Sequence, residues 1–481
     1  MKHIDRREFL KTLGLAGAAA TGVSLSSCGG KQAEEQMYDP NGTATGEIPT
    51  DKMEYRSFEN LDNEKVSILG YGCMRWPTIP NPNGEGDIMD QETINKLVKY
   101  AYDHGVNYYD TAPVYCQGRS EEATGIAIKQ LPREKIFVAT KNSNQSLARP
   151  ENTPEVIFQR SKEMYENSMK KLQIDYIDYY LLHSIGGGDD PMATLNQRYF
   201  ESGVLDYLVE EKKKGKIRRL GWSFHGDVKV FDYMLQLHDE GKYHWDFVQI
   251  QMNYCDWEHA SGRNVPAQYL YAELDKRQIP VVIMEPLLGG RLSKLPNHVI
   301  GILKGQEPER SAASWAFRFL GNFPGILTVL SGMTFMEHLQ DNLRSYAPFK
   351  KLTDEEMQFL FDTAKIINDY PTIPCNDCKY CMPCPYGLDI PAILVHYNKM
   401  VNEGSVPESV KDPRYAELRK KYLVTYDRTV EKLRQASHCT NCNECVEHCP
   451  QQIRIPQQLQ RIDKFIEDLK QNTLGVEKEN A

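Results

Sequence analysis

The sequence predicts an α/β protein, a (β/α)8 TIM barrel followed by a smaller, mainly helical domain rich in cysteine. Two observations carry this expectation. From about residue 54 to 350, short apolar runs alternate with longer amphipathic stretches, eight times over. Eight of the twelve cysteines then fall after residue 374, in two tight runs. A doubly wound sheet is the competing architecture, but no GxGxxG turn follows the first strand to support it.

Taken in order, Met53–Phe58 and Lys65–Ile68 read as a hairpin ahead of the first barrel strand, Leu69–Met74. Further strands are expected at 106–109, 136–140, 176–182, 217–222, 247–252, 279–284 and 325–330. Helical periodicity marks Thr93–His104, Pro154–Leu172, Leu205–Lys214, Ala267–Arg277 and Ser311–Phe319. Beyond the barrel it marks Asp354–Tyr370, Ile390–Glu403 and Pro413–Ser437. The expected divisions are a leader (1–27), a flexible tether (28–52), the barrel (53–352) and the cysteine domain (353–481).

A chain of 481 residues exceeds one small domain, and 41% hydrophobic with 26% charged residues is the balance of a soluble globular protein. A net charge of −9, with no interleaved basic and aromatic patch, argues against a nucleic-acid partner. At the start, Asp5-Arg6-Arg7-Glu8-Phe9-Leu10-Lys11 resembles a twin-arginine export motif, and Thr12–Leu25 is too short and too weakly apolar to stay in a membrane. Leu25-Ser26-Ser27-Cys28 resembles a lipobox, which implies a lipid anchor on Cys28 and a periplasmic, membrane-anchored protein. A cytoplasmic enzyme with a degenerate leader is the alternative. The twin-arginine route carries folded proteins, so metal clusters could be loaded before export.

In a (β/α)8 barrel the chemistry sits at the C-terminal ends of the strands. There the chain places Asp110 after Tyr108-Tyr109, Tyr115 on the loop beyond, Lys141 after Val138-Ala139-Thr140, and His183 after Leu181-Leu182. Their chemistries are complementary. A tyrosine hydroxyl is a poor acid, with an unperturbed pKa of ~10. A nearby lysine would lower it, an aspartate would hold that lysine charged, and a histidine would steer a carbonyl oxygen toward the tyrosine proton.

These signatures resemble the aldo-keto reductase superfamily over residues 53–350. The carrying segments are Gly105–Ala112, Val138–Lys141, Asp178–His183, Arg219–Ser223 and Glu285–Gly290. The resemblance implies a catalytic tetrad of Asp110, Tyr115, Lys141 and His183, and a nicotinamide cofactor, NADP or NAD, serving an aldehyde, ketone or alcohol substrate. It implies nucleotide contacts from Met74, Arg75, Ser223, Gln249, the Leu287 to Gly290 loop (Leu287 and Gly289 above all) and Asn342. Phe224 stands where the family commonly has Asn, Met284 where many members have Tyr, and His338 near an expected Arg that clasps the 2′-phosphate. Cys73, Cys116 and Cys255 read as small buried residues.

The cysteine runs are Cys375-x2-Cys378-x2-Cys381-x2-Cys384-Pro385 and Cys439-x2-Cys442-x2-Cys445-x3-Cys449-Pro450. The second resembles the bacterial ferredoxin run for a [4Fe-4S] cluster, and helices between the runs resemble the helical ferredoxin domains of larger reductases. As in two-cluster ferredoxins, the resemblance implies crossed ligation. Cys375, Cys378 and Cys381 would share one cluster with Cys449, and Cys439, Cys442 and Cys445 the other with Cys384. Two structural zinc sites are the alternative. The combination implies a nicotinamide-dependent oxidoreductase docked through two clusters to a redox protein, or else an electron-transfer scaffold whose barrel no longer uses nucleotide. Nothing in the sequence marks a route from the clusters to the tetrad.

Overall fold

Period-two alternation in eight parallel strands decides which side chains meet. The computed structural model describes residues 37–475; the leader motif and Cys28 lie outside them, as do residues 476–481. Among the described residues, twelve strands are formed. β1 (Tyr55–Arg56) and β2 (Val66–Ser67) pair as an antiparallel hairpin, and β4 (Thr78–Pro80) and β5 (Asp87–Met89) as another. The barrel strands are β3 (Leu69–Gly72), β6 (Tyr108–Asp110), β7 (Phe137–Asn142) and β8 (Ile177–Ile185), then β9 (Ile217–Phe224), β10 (Phe247–Gln251), β11 (Val281–Met284) and β12 (Ile326–Ser331). They close in the order β3-β6-β7-β8-β9-β10-β11-β12, back to β3, all parallel. Each lies within a few residues of its expected position. The β4–β5 hairpin, whose residues are mostly exposed, was not expected.

Successive residues of a strand face opposite ways. Tyr109, Val138, Tyr180, Trp222 and Ile250 point outward and join the layer packed under the helices. Tyr108, Ala139, Tyr179, Leu181, Phe247 and Val282 point inward and fill the barrel axis. Continuing the inward sets toward the C-terminal ends gives Asp110 after Tyr108, Lys141 after Ala139, and His183 after Leu181. Ser223 and Gln249 fall on the same face of their strands. Five positions above the apolar plug, Asp110, Lys141, His183, Ser223 and Gln249, are therefore polar.

The helices start where local chemistry stops the chain. Asp90 caps Gln91–Asp103 by accepting from the Thr93 amide at 3.1 Å, and Thr153 caps Pro154–Leu172, whose proline sits in the first turn. Thr353 and Glu356 form a reciprocal capping box at Asp354–Asn368. That helix corrects the expected 352/353 boundary. Leu360, Ala364 and Ile367 are buried in the barrel's core, whereas the second core begins at Ile373. Burying Leu360 and Ile367 contributes roughly 1.5–3 kcal/mol each, which binds the helix to the barrel.

The tether expectation also needs correction from Tyr38 onward. The Tyr38 amide donates to Asn297 Oδ1 at 2.7 Å, Ala312 N donates to Pro40 O at 2.8 Å, Thr43 N donates to Glu309 O at 3.0 Å, and Ile48 is buried. Paired backbone and a buried isoleucine hold this stretch on the barrel. Among the described residues, no helix is long and apolar enough to cross a membrane.

The cysteine domain packs Ile390–Asn402, Tyr415–Thr429 and Ile455–Gln471 around one core. The middle helix is shorter than expected, because Val430 turns extended and the Tyr426 hydroxyl accepts from the Ala436 amide at 3.1 Å. The last helix, unexpected, buries a stripe of Leu459, Ile462, Ile466 and Leu469. His396 lies edge-on to Tyr422 and Tyr426, with Nε2 2.9 Å from Thr425 Oγ1 and Nδ1 without a partner.

Burial lowers the His396 pKa to about 4, so the fold holds it neutral while an unfolded chain would protonate it near 6.5. Between these values the unfolded state binds more protons. The stability is present above pH 6.5 and is lost as pH falls through 4. Thermal unfolding of cluster-replete protein should show a steeper acid loss in the wild type than in His396→Gln, a difference on the order of 2–3 kcal/mol by pH 4. Parallel pH profiles would contradict it.

Candidate active site

Asp110 and Lys141 occupy adjacent strands at the same level, and Lys141 Nζ donates to Asp110 Oδ1 at 2.5 Å and to Thr111 O at 2.7 Å. Both side chains are almost wholly enclosed. Burial pushes the Asp110 carboxyl up and the Lys141 ammonium down, and the attraction between them opposes both shifts. Tyr115 opens a short turn whose next residues, Cys116 and Gln117, hold left-handed φ of 49° and 57°. The turn brings the Tyr115 ring to 4.7 Å from Lys141 Nζ and 5.9 Å, edge-on, from the His183 ring. His183 Nδ1 lies 2.6 Å from Ser143 Oγ. Its carbonyl accepts from Arg198 Nη2 at 2.5 Å, which fixes the end of β8. Burial, then the positive charges of Lys141 and Arg198, keep His183 well below its usual pKa, so the imidazole is neutral.

The expected lowering of Tyr115 is corrected. Burial, then Tyr380 and Asp110, push its hydroxyl well above the ordinary value. Tyr115 is a protonated phenol, placed as a donor.

Of the expected nucleotide contacts, Gln249 is buried with Oε1 unpartnered, and Ser223 Oγ accepts from the Ser184 amide at 2.8 Å. Asn342 Nδ2 donates to Ser331 Oγ at 2.8 Å. Met74 and Arg75 form the turn after β3, where Arg75 Nη2 donates to Asn376 O at 2.6 Å. Leu287 begins the turn that carries Gly289, whose φ is 67°. An orphaned amide oxygen facing the mouth fits a nicotinamide carboxamide, which brings its own N–H donors. The Gly289 end differs. A Cβ there would stand 2.2 Å from Asn376 O, so the cysteine domain already lies on that turn.

The residue missed by sequence reasoning is Tyr380, between Cys378 and Cys381. It lies beside Tyr115, where it helps keep the proton on that hydroxyl, and its ring stands edge-on to His183 at 6.4 Å. This contact between a cysteine run and the tetrad is one that the sequence does not mark. The first cysteine run reaches the tetrad through one side chain. On the far rim, Gln451 Nε2 donates to Gln251 Oε1 at 2.9 Å and Asn264 Nδ2 to Pro450 O at 3.0 Å, so the end of the second run docks there.

The cysteines sort by neighbourhood. Cys384, Cys439, Cys442 and Cys445 line one cavity of about 250 Å³, together with Cys381. Burial, then Cys439, Cys442 and Cys384, push the Cys445 thiol up to about 12. Cys378 is also raised to about 12, by burial first, with Cys449 and Cys375 among the negative neighbours. Crowded thiols that resist ionisation alone are the donor set that iron stabilises as thiolates. Sulfurs arranged around a cavity suit an iron–sulfur cube. Cys73 and Cys255 are buried, as expected of small packing residues, whereas Cys116 is half-buried.

Both parts of the chain are similar to known families. The chain is 35% identical over 163 residues to "Probable aldo-keto reductase 1" of Glycine max, covering 33% of this chain and 42% of that protein. It is 27% identical over 319 residues to "Uncharacterized oxidoreductase YqkF" of Bacillus subtilis (strain 168), covering 61% and 92%. Among solved structures, a holo aldo-keto reductase of Bacillus halodurans superposes with a TM-score of 0.49 at 24% identity, over 65% of this chain and 96% of that one. A 4Fe-4S dicluster domain is matched at residues 374–455. With the Aldo/keto reductase family matched over residues 69–362, this oxidoreductase barrel with its dicluster domain belongs to the aldo/keto reductase family.

Proposed function

We propose that the protein reduces an aldehyde or ketone with NADPH or NADH, or runs the reverse alcohol oxidation, and meets a redox protein through its two [4Fe-4S] clusters. The observation that carries this reading is the protonated Tyr115 hydroxyl set beside the buried Lys141–Asp110 pair and a neutral His183 at the barrel mouth. A reduced nicotinamide supplies a hydride to the carbonyl carbon when bound. Tyr115 gives its proton to the oxygen, Lys141 stabilises the phenolate left behind, and Asp110 holds Lys141 in place. His183, unable to compete as a cation, donates a hydrogen bond that orients the oxygen. Gln249 would hold the carboxamide, with Ser223 beside it.

The leader-like residues 5–28 support export by the twin-arginine route and a lipid on Cys28, for which cell fractionation with labelled lipid is the test. The scaffold reading draws on one observation, the packing of Asn376 on the Gly289 turn.

Tyr115→Phe should lower kcat for carbonyl reduction by about 10²-fold or more while leaving NADPH affinity within about twofold. Equal kcat in the two proteins would remove Tyr115 from the chemistry. Absence of any hydride activity in wild-type protein would favour the scaffold.

The neighbourhoods of Cys378 and Cys445 support crossed ligation, which a paired deletion separates from local ligation. If Cys378 and Cys449 serve one cluster, Cys378→Ala/Cys449→Ala loses half the iron of the wild type and keeps one intact cluster by its reduced-state paramagnetic spectrum. Local ligation would put the two deletions in different clusters, and nearly all the iron would go.

A further inference from the structure

The loop between the first cluster cysteines touches the barrel's site at three places. Asn376 lies on the Gly289 turn and donates through Nδ2 to Glu285 Oε1 at 2.8 Å. Its carbonyl, with Asp377 3.8 Å away, engages Arg75. Tyr380 sits beside Tyr115, and its ring stands edge-on to His183 at 6.4 Å. These are the turn and the arginine expected to meet the dinucleotide, and the two side chains expected to meet the substrate oxygen. A side chain set beside both Tyr115 and His183 stands where a carbonyl substrate has to stand.

The loop itself is wound tightly, with Asp377 and Lys379 in left-handed φ of 53° and 65°. Non-glycine residues hold that conformation at a cost, and here ligand cysteines stand on both sides of each.

We infer that the first cluster loop is a competitive occupant of the barrel's site: Asn376 and Tyr380 hold the dinucleotide turn and the reacting-oxygen position, so loading requires this loop to lift. The inference rests on the nicotinamide reading above. Its consequence is reciprocal. Nucleotide binding displaces a segment that carries three cluster cysteines, and whatever loosens that segment tightens nucleotide binding. The seated loop reduces apparent affinity by the fraction of molecules in which it is lifted.

The test uses cluster-replete full-length protein, with iron content and visible spectrum matched between samples. NADPH and NADH binding is measured by calorimetry for wild type, Asn376→Ala and Tyr380→Phe, and hydrogen exchange of residues 375–385 is followed in the wild type with and without NADPH. Each variant should bind NADPH more tightly, about tenfold for Asn376→Ala, which loses the loop-to-barrel hydrogen bond to Glu285. NADPH should speed exchange in the wild-type loop, a readout independent of how the variants fold. Equal or weaker affinity in both variants, with loop exchange unchanged by NADPH, overturns the inference and leaves the nucleotide reading standing. No binding of either nucleotide by any of the three proteins overturns that reading, and the inference falls with it.

Discussion

The buried Lys141–Asp110 pair is the interaction on which the site depends. Two opposite charges sit inside a barrel whose axis is otherwise filled by Tyr108, Ala139, Tyr179 and Leu181. Removing either partner leaves an uncompensated buried charge, at about 3–5 kcal/mol. A pair of apolar residues could serve stability as well, so stability alone does not explain the pair. What it supplies is a fixed cation beside the Tyr115 ring, anchored to β6 through Asp110 and the Thr111 carbonyl. His183 is kept neutral by burial first, and then by the positive charges of Lys141 and Arg198.

Much of this was legible because it is written in local pattern. Alternation within Tyr108–Asp110, Phe137–Asn142 and Ile177–Ile185 sets the inward direction, and a polar residue ending each inward set marks the mouth. The strand positions follow from the same apolar runs. Less legible was anything decided by docking. Tyr380 reads in sequence as a spacer between two cysteines, and only the seating of that loop against the barrel turns it toward Tyr115. The helix Ile455–Gln471 is a different case, since its stripe of Leu459, Ile462, Ile466 and Leu469 carries a helical period that sequence alone displays. The Asp354–Asn368 helix was legible as a helix but not as part of the barrel, because its allegiance depends on which core buries Leu360 and Ile367.

The same docking explains why the pKa of Tyr115 departs from simple expectation. A lysine next to an exposed tyrosine would lower it. Here burial and a second tyrosine act the other way, and the phenol keeps its proton. A donor poised with its proton suits reduction, and loss of the Tyr380 contact to an incoming carbonyl would hand that proton to substrate. The iron–sulfur domain is thus a wall of the active site as well as a carrier of clusters, joined to the barrel at Asn376, Tyr380 and, across the mouth, Gln451.

Direct hydride delivery at this mouth is the central claim, and isotope transfer tests it most directly. Cluster-replete protein is given an aldehyde and NADPH carrying deuterium at the transferred position, and the alcohol is analysed by mass spectrometry. The account predicts one deuterium on the carbinol carbon of the product, with none lost to water. Alcohol formed without deuterium would contradict it.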